Sequence, residues 1–172
     1  MTIHSEHPFV PPEGERDPLR RLRGRIAAPV TVWATGDGTG RRGLTVSSVM
    51  IADGEPPRIV GLVDGDSELW VPPPEVLVIN LLGASHRFLA DAFAGLVPAP
   101  GGPFKLGAWH DTAWGPALDD AAGWLGVRVH GDPRTVGWRV LVEAVVEHVD
   151  VGTADPLIHL RGRYLDPGGH SA

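Results

Sequence analysis

Glycine and proline punctuate this chain so evenly that long helices have nowhere to form. The 172 residues include 23 glycines and 17 prolines, spread throughout. Proline removes a backbone donor and disfavours helical geometry in the residue before it, and glycine weakens helix interiors. The segments between them are short and rich in valine, which favours strands joined by turns. Val30 to Thr35, Leu44 to Met50, Ile59 to Val63, Val76 to Leu82, Trp124 to Val129, Val136 to Val149 and Leu157 to Leu165 read as strands. Such a set predicts a mainly β fold, an antiparallel barrel that is closed or nearly closed. Closure removes the sheet edges that invite aggregation.

Local signals refine this expectation. Gly36-Asp37-Gly38 reads as the turn of a hairpin between the first two strands. In the long late strand, Val136, Trp138, Val140, Val142, Ala144 and Val146 share one face by period two. The opposite face carries Arg139, Leu141, Glu143, Val145 and Glu147, so it is half wet or meets a partner. Two short helices are expected. One covers Arg20 to Ala28 and ends at Pro29. The other covers Ser85 to Leu96, with Ser85 as N-cap and Phe88, Leu89, Ala92 and Phe93 at helical spacing. Gly101 to Asp120 reads as irregular. One domain over residues 19–165 follows, with an extended arm over 1–18 and a polar tail over 166–172.

Several classes of function are disfavoured. Without cysteine there are no disulfides, thiolate metal sites, Fe–S clusters or cysteine nucleophiles. A net charge of −6, with basic residues clustered only at Arg20, Arg21, Arg23 and Arg25, argues against nucleic acid as a partner. No run approaches the roughly 20 apolar residues of a membrane span. Met1 to Glu15 lacks the apolar region of a signal peptide, so a cytoplasmic location is expected.

The motifs are few. Gly38-Thr39-Gly40-Arg41-Arg42-Gly43 matches G-x-G-x-x-G, but a strand-forming segment follows it where a dinucleotide fingerprint needs a helix. It reads as a glycine-rich hairpin. The eight histidines form no helical H-x-x-x-H pair, so no metal is expected. Ser47-Ser48 lies outside any G-x-S-x-G elbow. Thr45, Ser47 and Ser48 nevertheless place three hydroxyls at a strand end after Gly43. Such a segment suits a phosphate or the polar edge of a flavin ring, although a hydroxyl-bearing strand has the same composition.

The order of segments carries more. Ala27-Ala28-Pro29-Val30-Thr31-Val32 precedes Asp37-Gly38 and Gly43-Leu44-Thr45-Val46-Ser47-Ser48-Val49. Pro56-Pro57, an apolar strand and Asp64-Gly65-Asp66-Ser67 come next. Then follow Val78-Ile79-Asn80-Leu81-Leu82, His86 to Ala94, Trp109, and Pro156-Leu157-Ile158 through Gly162-Arg163-Tyr164. From about Leu19 to Leu165 this series resembles the flavin reductase-like family of FMN-binding split barrels. The resemblance implies a Greek-key-like split barrel, a homodimer, and FMN (FAD in some members) near the dimer interface. It also implies reduction by NADH or NADPH, and a flavin-dependent monooxygenase as possible partner. By resemblance, Thr45, Val46, Ser47 and Ser48 line the flavin, Val63 and Asp64 flank its ring and ribityl chain, and Ser67 faces its phosphate. Asn80 and the helix start at His86, Arg87 and Phe88 close over the site. Arg87 is a phosphate partner, as a cation beside a helix N-terminus.

The chain departs from the family pattern at three places. The family's Gly-Asp-His triplet is Gly137-Trp138-Arg139, its Asn-Arg phosphate loop is Asp64-Gly65, and its Asp-Pro-Pro motif is Gly54-Glu55-Pro56-Pro57. Arg139 remains a candidate on the nicotinamide side, as a cation rather than an acid or base. The alternative reading is an FMN-binding protein without reductase activity, a flavin carrier or a partner-bound redox module.

Overall fold

The computed structural model of the chain describes residues 17–167. Of the expected arm and tail, residues 1–16 and 168–172 lie outside this range. Thirteen strands are present among the described residues: β1 (Ala28–Pro29), β2 (Thr31–Thr35), β3 (Arg42–Val46), β4 (Val49–Ala52), β5 (Arg58–Val63), β6 (Val76–Leu81), β7 (Trp109–Thr112), β8 (Gly115–Leu118), β9 (Gly123–Val129), β10 (Arg134–Val136), β11 (Arg139–Val151), β12 (Ile158–Leu160) and β13 (Arg163–Leu165). Helices α1 (Pro18–Arg23) and α2 (Arg87–Phe93) are short.

The main sheet is antiparallel throughout, in the order β3-β2-β6-β9-β11-β5-β4, with β10 paired to β11. Its two end strands, β3 and β4, are consecutive in the chain and joined only by Ser47-Ser48. A flat sheet of seven strands cannot bring its ends that close, because neighbouring strands lie roughly 4.8 Å apart. The sheet is therefore rolled into the curled barrel that the sequence predicts. Strand β11 makes this possible. Its first half pairs with β5 and its second half with β9, and a register shift between Val146 and His148 bends it.

Two apolar clusters lie on the two faces of the rolled sheet. The inner one contains Trp33, Val46, Ile59, Val63, Leu77, Ile79, Val127, Val142 and Ala144, contributed by β2, β3, β5, β6, β9 and β11. The outer one joins Val30, Val32, Ala34 and Leu82 to Leu89, Ala90 and Phe93 of α2 and to Leu118. Strand β2 is consequently buried along its whole length, with Trp33 facing inward and Val32 and Ala34 facing α2.

Several sequence expectations need correction. The strand expected over Leu44 to Met50 breaks at Ser47-Ser48, where the chain passes from one end of the sheet to the other. The long strand begins at Arg139, so Trp138 is not an inward-facing residue. Gly137 and Trp138 instead form a two-residue turn between β10 and β11, with φ of +59° at Gly137. The final strand is a hairpin turned at Arg161-Gly162, where both φ values are positive (52° and 75°), as a type I′ turn requires. Gly101 to Asp120 holds the β7–β8 hairpin. Ser85 does not cap α2. A 3-10 turn over Ala84–His86 precedes it, and His86 Nδ1 accepts the Gly83 N–H at 3.0 Å.

The hairpin β12–β13 is anchored to α2 by Tyr164, whose hydroxyl donates to Asp91 Oδ1. Burial, and then the bond to Asp91, push the phenol well above its ordinary value of 10. A raised value in the folded state means that the contribution is complete below pH 10 and is lost as pH rises from 10 through the folded value. Tyr164→Phe is expected to cost about 1 kcal/mol at neutral pH, because a hydrogen bond to a charged acceptor is lost at a half-buried site. Urea unfolding at pH 7 and at pH 10.5 to 11, roughly spanning the start of that window, should show the gap between wild type and variant narrowing. A gap that widens would contradict the assignment.

Candidate functional site

Three segments converge where β3 passes into β4. The first is the Ser47-Ser48 link, with both side chains exposed. The second is the end of β5. The Leu62 N–H donates to Ser48 O at 3.0 Å, which sets Val63 and the Asp64-Gly65-Asp66-Ser67 turn beside the link. The third is the start of α2. Thr45 Oγ1 donates to Ala90 O at 2.7 Å, and a Cβ on Gly43 would stand 2.6 Å from the Phe93 ring. Residues rising along β3 therefore meet residues falling along α2. That antiparallel contact directs Arg87 and Phe88 toward the Ser47-Ser48 end.

The rim so formed presents unpartnered polar groups. The hydroxyls of Ser47 and Ser48 and the guanidinium of Arg87 bond to no other described residue. Phe88 exposes 54% of its surface beside them. Two hydroxyls, a cation and an aromatic face at one end of the barrel match a ligand that carries an anionic end and a flat ring. In this donor set the chain fits a flavin phosphate and ring.

The remaining predicted residues are distributed differently. Val46 and Val63 are 3% and 1% exposed and belong to the inner core, where they support the rim from beneath. Ser67 closes its turn internally, its hydroxyl donating to Asp64 O at 2.6 Å. Asn80 is fully buried. Its Nδ2 donates to Val32 O (3.2 Å) and Pro116 O (3.4 Å), and its Oδ1 accepts the Leu118 N–H (2.8 Å). Asn80 thus ties β2, β6 and β8 together rather than joining the rim. His86 is also buried. Its Nδ1 accepts a backbone N–H, which leaves Nε2 as the protonated nitrogen facing Asp120 Oδ1 at 3.1 Å.

The two strongest departures from the family pattern turn out to be partners. Arg139 Nη1 lies 2.8 Å from Asp64 Oδ2, and both side chains are about half exposed. Asp64 is held from behind, because its Oδ1 accepts the Asp66 N–H at 3.1 Å. Gly65 lets this turn press against β11, since a Cβ there would stand 2.9 Å from Val140 Cγ2. The acidic group added beside the rim is therefore neutralised by the cation added on β11. Opposite charges at the two departures were the available signal. The pairing itself spans 75 residues and needs the rolled sheet.

Two surface hollows lie away from the rim. A hollow of about 370 Å³ lies among Pro73, Pro74, Glu75, Arg128, Val129 and Pro133, and one of about 330 Å³ lies beneath β10. Neither touches the converging segments. In a single chain Ser47, Ser48, Arg87 and Phe88 of the rim are exposed. The charges on the outer face of β11 are paired within the chain, Glu143 with Arg58 at 2.6 Å and Glu147 with Arg128 at 2.6 Å. Hydrogen bonds from Arg128 and then from Trp114 Nε1 hold the Glu147 carboxyl below the usual carboxylate range. No helix among the described residues is long and apolar enough to cross a membrane.

Comparison with known proteins bears on this geometry. The family described as "Flavin reductase like domain" matches residues 23–167. A protein of Bradyrhizobium diazoefficiens named "FMN reductase (NADH) RutF" is 31% identical over 163 residues, covering 92% of this chain and 87% of the relative. The NADH:FAD oxidoreductase SgcE6 of Streptomyces globisporus, solved with NAD and FAD fragments, superposes with a TM-score of 0.77 at 20% identity, covering 90% of this chain and 93% of that one. Nitrilotriacetate monooxygenase component B from Mycobacterium thermoresistibile gives 0.75 at 20% identity, covering 90% and 88%. At that identity the two structures establish the shared fold.

Proposed function

The chain belongs to the flavin reductase like domain family, and we propose that it is an NAD(P)H-dependent flavin reductase that holds FMN on the rim between the β3–β4 link and α2. The observation that supports the site most directly is the convergence of Ser47, Ser48 and Arg87, unpartnered donors from separate segments, at one end of the barrel. A relative at 31% identity that is named an NADH-dependent FMN reductase favours this chemistry and this pair of ligands.

A flavin held there would supply the redox chemistry, hydride acceptance and electron transfer. The chain's own residues do the rest. Arg87 holds the flavin phosphate as a cation. The hydroxyls and backbone of Ser47 and Ser48 line the polar edge of the ring. Phe88 covers an apolar part of it and excludes water. Val46 and Val63, locked in the core, fix the height of the rim. Thr45 sets the distance between α2 and β3 through its bond to Ala90.

A second copy of the chain completes the groove in this reading. The open rim supports that arrangement, together with the exposed apolar residues Met50 and Ile51 on the end strand β4, which are 69% and 65% exposed. A monomeric mass in light scattering at micromolar concentration would count against it. The reduced flavin would then serve a flavin-dependent oxygenase, a role suggested by the monooxygenase component among the structural neighbours.

Anaerobic mixing tests the central claim. Protein titrated with FMN should perturb the visible flavin band. NADH or NADPH should then bleach that band much faster than the same nucleotide bleaches free FMN. Flavin that binds but stays oxidised for minutes with either nucleotide would leave the carrier reading in its place. A protein that ignores both FMN and FAD would remove both readings.

A further inference from the structure

Both ring nitrogens of the buried His86 are engaged, and they tie the start of α2 to two other segments. The Gly83 N–H donates to Nδ1 at 3.0 Å, and the His86 N–H donates back to Gly83 O at 3.0 Å. These reciprocal bonds close the turn that leads into the helix. Nε2 faces Asp120 Oδ1, on the turn between β8 and β9, at 3.1 Å. Arg87 and Phe88, the rim residues of α2, follow directly. The first turn of α2 has no side-chain cap and no acidic residue of its own, which leaves the His86 ring to orient it. The rest of the helix is pinned independently. Ala90 O accepts the Thr45 hydroxyl, Asp91 accepts the Tyr164 hydroxyl, and Leu89, Ala90 and Phe93 are buried.

This clamp suits one protonation state. Nδ1 accepts only while it carries no proton. A second proton on the ring would set an N–H against the Gly83 N–H at a buried place, and a buried donor left facing a donor loses its full hydration. The opposing gain is small, because Asp120 is exposed and an ion pair with an exposed carboxylate contributes little. The other charged and titratable groups on the surrounding elements are engaged or lie along α2. Asp119 pairs with His110 of β7. Asp155 lies on the segment before β12, where its backbone O accepts the Ala84 N–H. Arg87 and Asp91 belong to α2 itself, and Tyr164 of β13 is bound to Asp91. Protonation of His86 therefore loosens the Gly83–His86 turn and leaves the later, pinned part of α2 in place.

Given the flavin-binding reading above, we propose that His86 is a positioning residue that holds Arg87 and Phe88 at the rim in its neutral form only, so that acid releases bound flavin through the Gly83–His86 turn rather than by unfolding the barrel. The sign follows from the bonds. The neutral ring goes with the closed turn, so affinity is complete above the ordinary histidine range and is lost as pH falls through it. His86 acts through Arg87 and Phe88, not by contact with the flavin.

The test measures the Kd of FMN by calorimetry on the full chain between about pH 8 and about pH 5, a span around the ordinary histidine value. Wild-type protein should weaken about tenfold across it, as the turn loses a hydrogen bond and gains an unsatisfied donor, while its far-ultraviolet circular dichroism stays constant. The FMN phosphate takes up a proton near about pH 6, so the readout is the difference from a variant without a titrating ring. His86→Asn keeps an acceptor for the Gly83 N–H, as asparagine does at helix starts, and loses the tether to Asp120. It should bind roughly twofold to threefold more weakly than wild type at the upper end of the range, with a clearly shallower fall on acidification. His86→Gln carries its acceptor too far out for Gly83. It should bind about fivefold to tenfold more weakly at that end, with the same shallow fall, and recovery in asparagine relative to glutamine assigns the effect to Nδ1. Either variant supplies the reference slope, so one that does not fold is replaced by the other. Parallel slopes in wild type and variant would assign the pH dependence to the phosphate and overturn the proposal. Variants that lose thermal stability while the folded protein keeps its Kd for FMN would overturn it too, as would flavin release that coincides with loss of the dichroism signal. Wild-type protein that binds FMN equally at both ends overturns the proposal and leaves the flavin reading standing. Wild-type protein that binds no FMN at either end overturns both.

Discussion

Replacing Trp33 with alanine is expected to lower the free energy of unfolding by about 3–5 kcal/mol, the usual cost of truncating a large buried aromatic. For a domain of this length, roughly 2–4 °C of melting temperature goes with each kcal/mol. Circular dichroism should therefore show a drop of about 6–20 °C. Trp33 is fully buried inside the rolled sheet, on β2. Its ring lies against Gly61 of β5, where a Cβ would stand 2.6 Å from two ring atoms. Strands β2 and β5 are not neighbours in the sheet. The contact therefore spans the barrel interior, and the ring fills the space that rolling creates. The indole N–H meets no acceptor among the described residues, so its contribution is packing rather than hydrogen bonding. A double-mutant cycle sharpens the test. Gly61→Ala should be strongly destabilising in the wild-type background and clearly less so once Trp33 is alanine, when the tight approach to Ser48 O at 3.1 Å is what remains. Additive effects, or a Trp33→Ala cost below about 1 kcal/mol, would show that the ring does not hold the two sides of the barrel together.

The second large effect is expected at Asn80. Asn80→Asp changes almost no volume, yet it should destabilise the protein by about 3 kcal/mol or more at neutral pH, as an unpaired buried charge does. The asparagine amide donates to two backbone carbonyls. One carboxylate oxygen would keep the Leu118 N–H, but the other would face those carbonyl oxygens with no donor and no counter-charge, at a site with no solvent exposure. The carboxyl would resist ionisation, and its folded value would rise above the ordinary one near 4. Protonation therefore favours the folded state. The variant should be most stable below the ordinary carboxyl value and should lose stability as pH rises through the folded value. Chemical unfolding from pH 4 to pH 8, a range that starts roughly at that value, should show the gap to wild type widening and then levelling. A gap independent of pH would mean that the carboxylate finds solvent or a donor. The same variant separates two roles for this residue. As an internal tie between β2, β6 and β8 it controls stability, with FMN affinity of the folded protein little changed. As a flavin contact it would change that affinity directly.

Much of the barrel was legible because strand formation here is a local matter. Val76 to Leu82 and Ile59 to Val63 are short apolar runs between prolines and turns, and strands form there at Val76–Leu81 and Arg58–Val63. The misreadings are where a run of strand-forming residues hides a turn. Leu44 to Met50 alternates well, yet the chain turns at Ser47-Ser48 because the rolled sheet must pass from one end to the other there. Leu157 to Leu165 contains Arg161, a non-glycine residue at positive φ, which propensity alone does not reveal. Val136 to Val149 keeps period two across Gly137-Trp138, so the pattern carried Trp138 to the core face while the turn put it in water.

The candidate site divides in the same way. Thr45, Ser47 and Ser48 could be singled out because they lie in one short segment, and their place in an ordered series gave them meaning. Arg139 and Asp64 could be singled out only as departures, one by one. That they face each other, and that Asn80 turns inward while Arg87 stays open, follows from distances between segments up to 75 residues apart. By itself the sequence determined the class of fold and the family, and it singled out a candidate segment for a flavin, because turn chemistry, strand alternation and the order of motifs are written along the chain. Which of the named residues share a rim, which become core and which charges neutralise each other was decided only when the sheet rolled, since contact between strands depends on register and closure, and neither is encoded in any single segment.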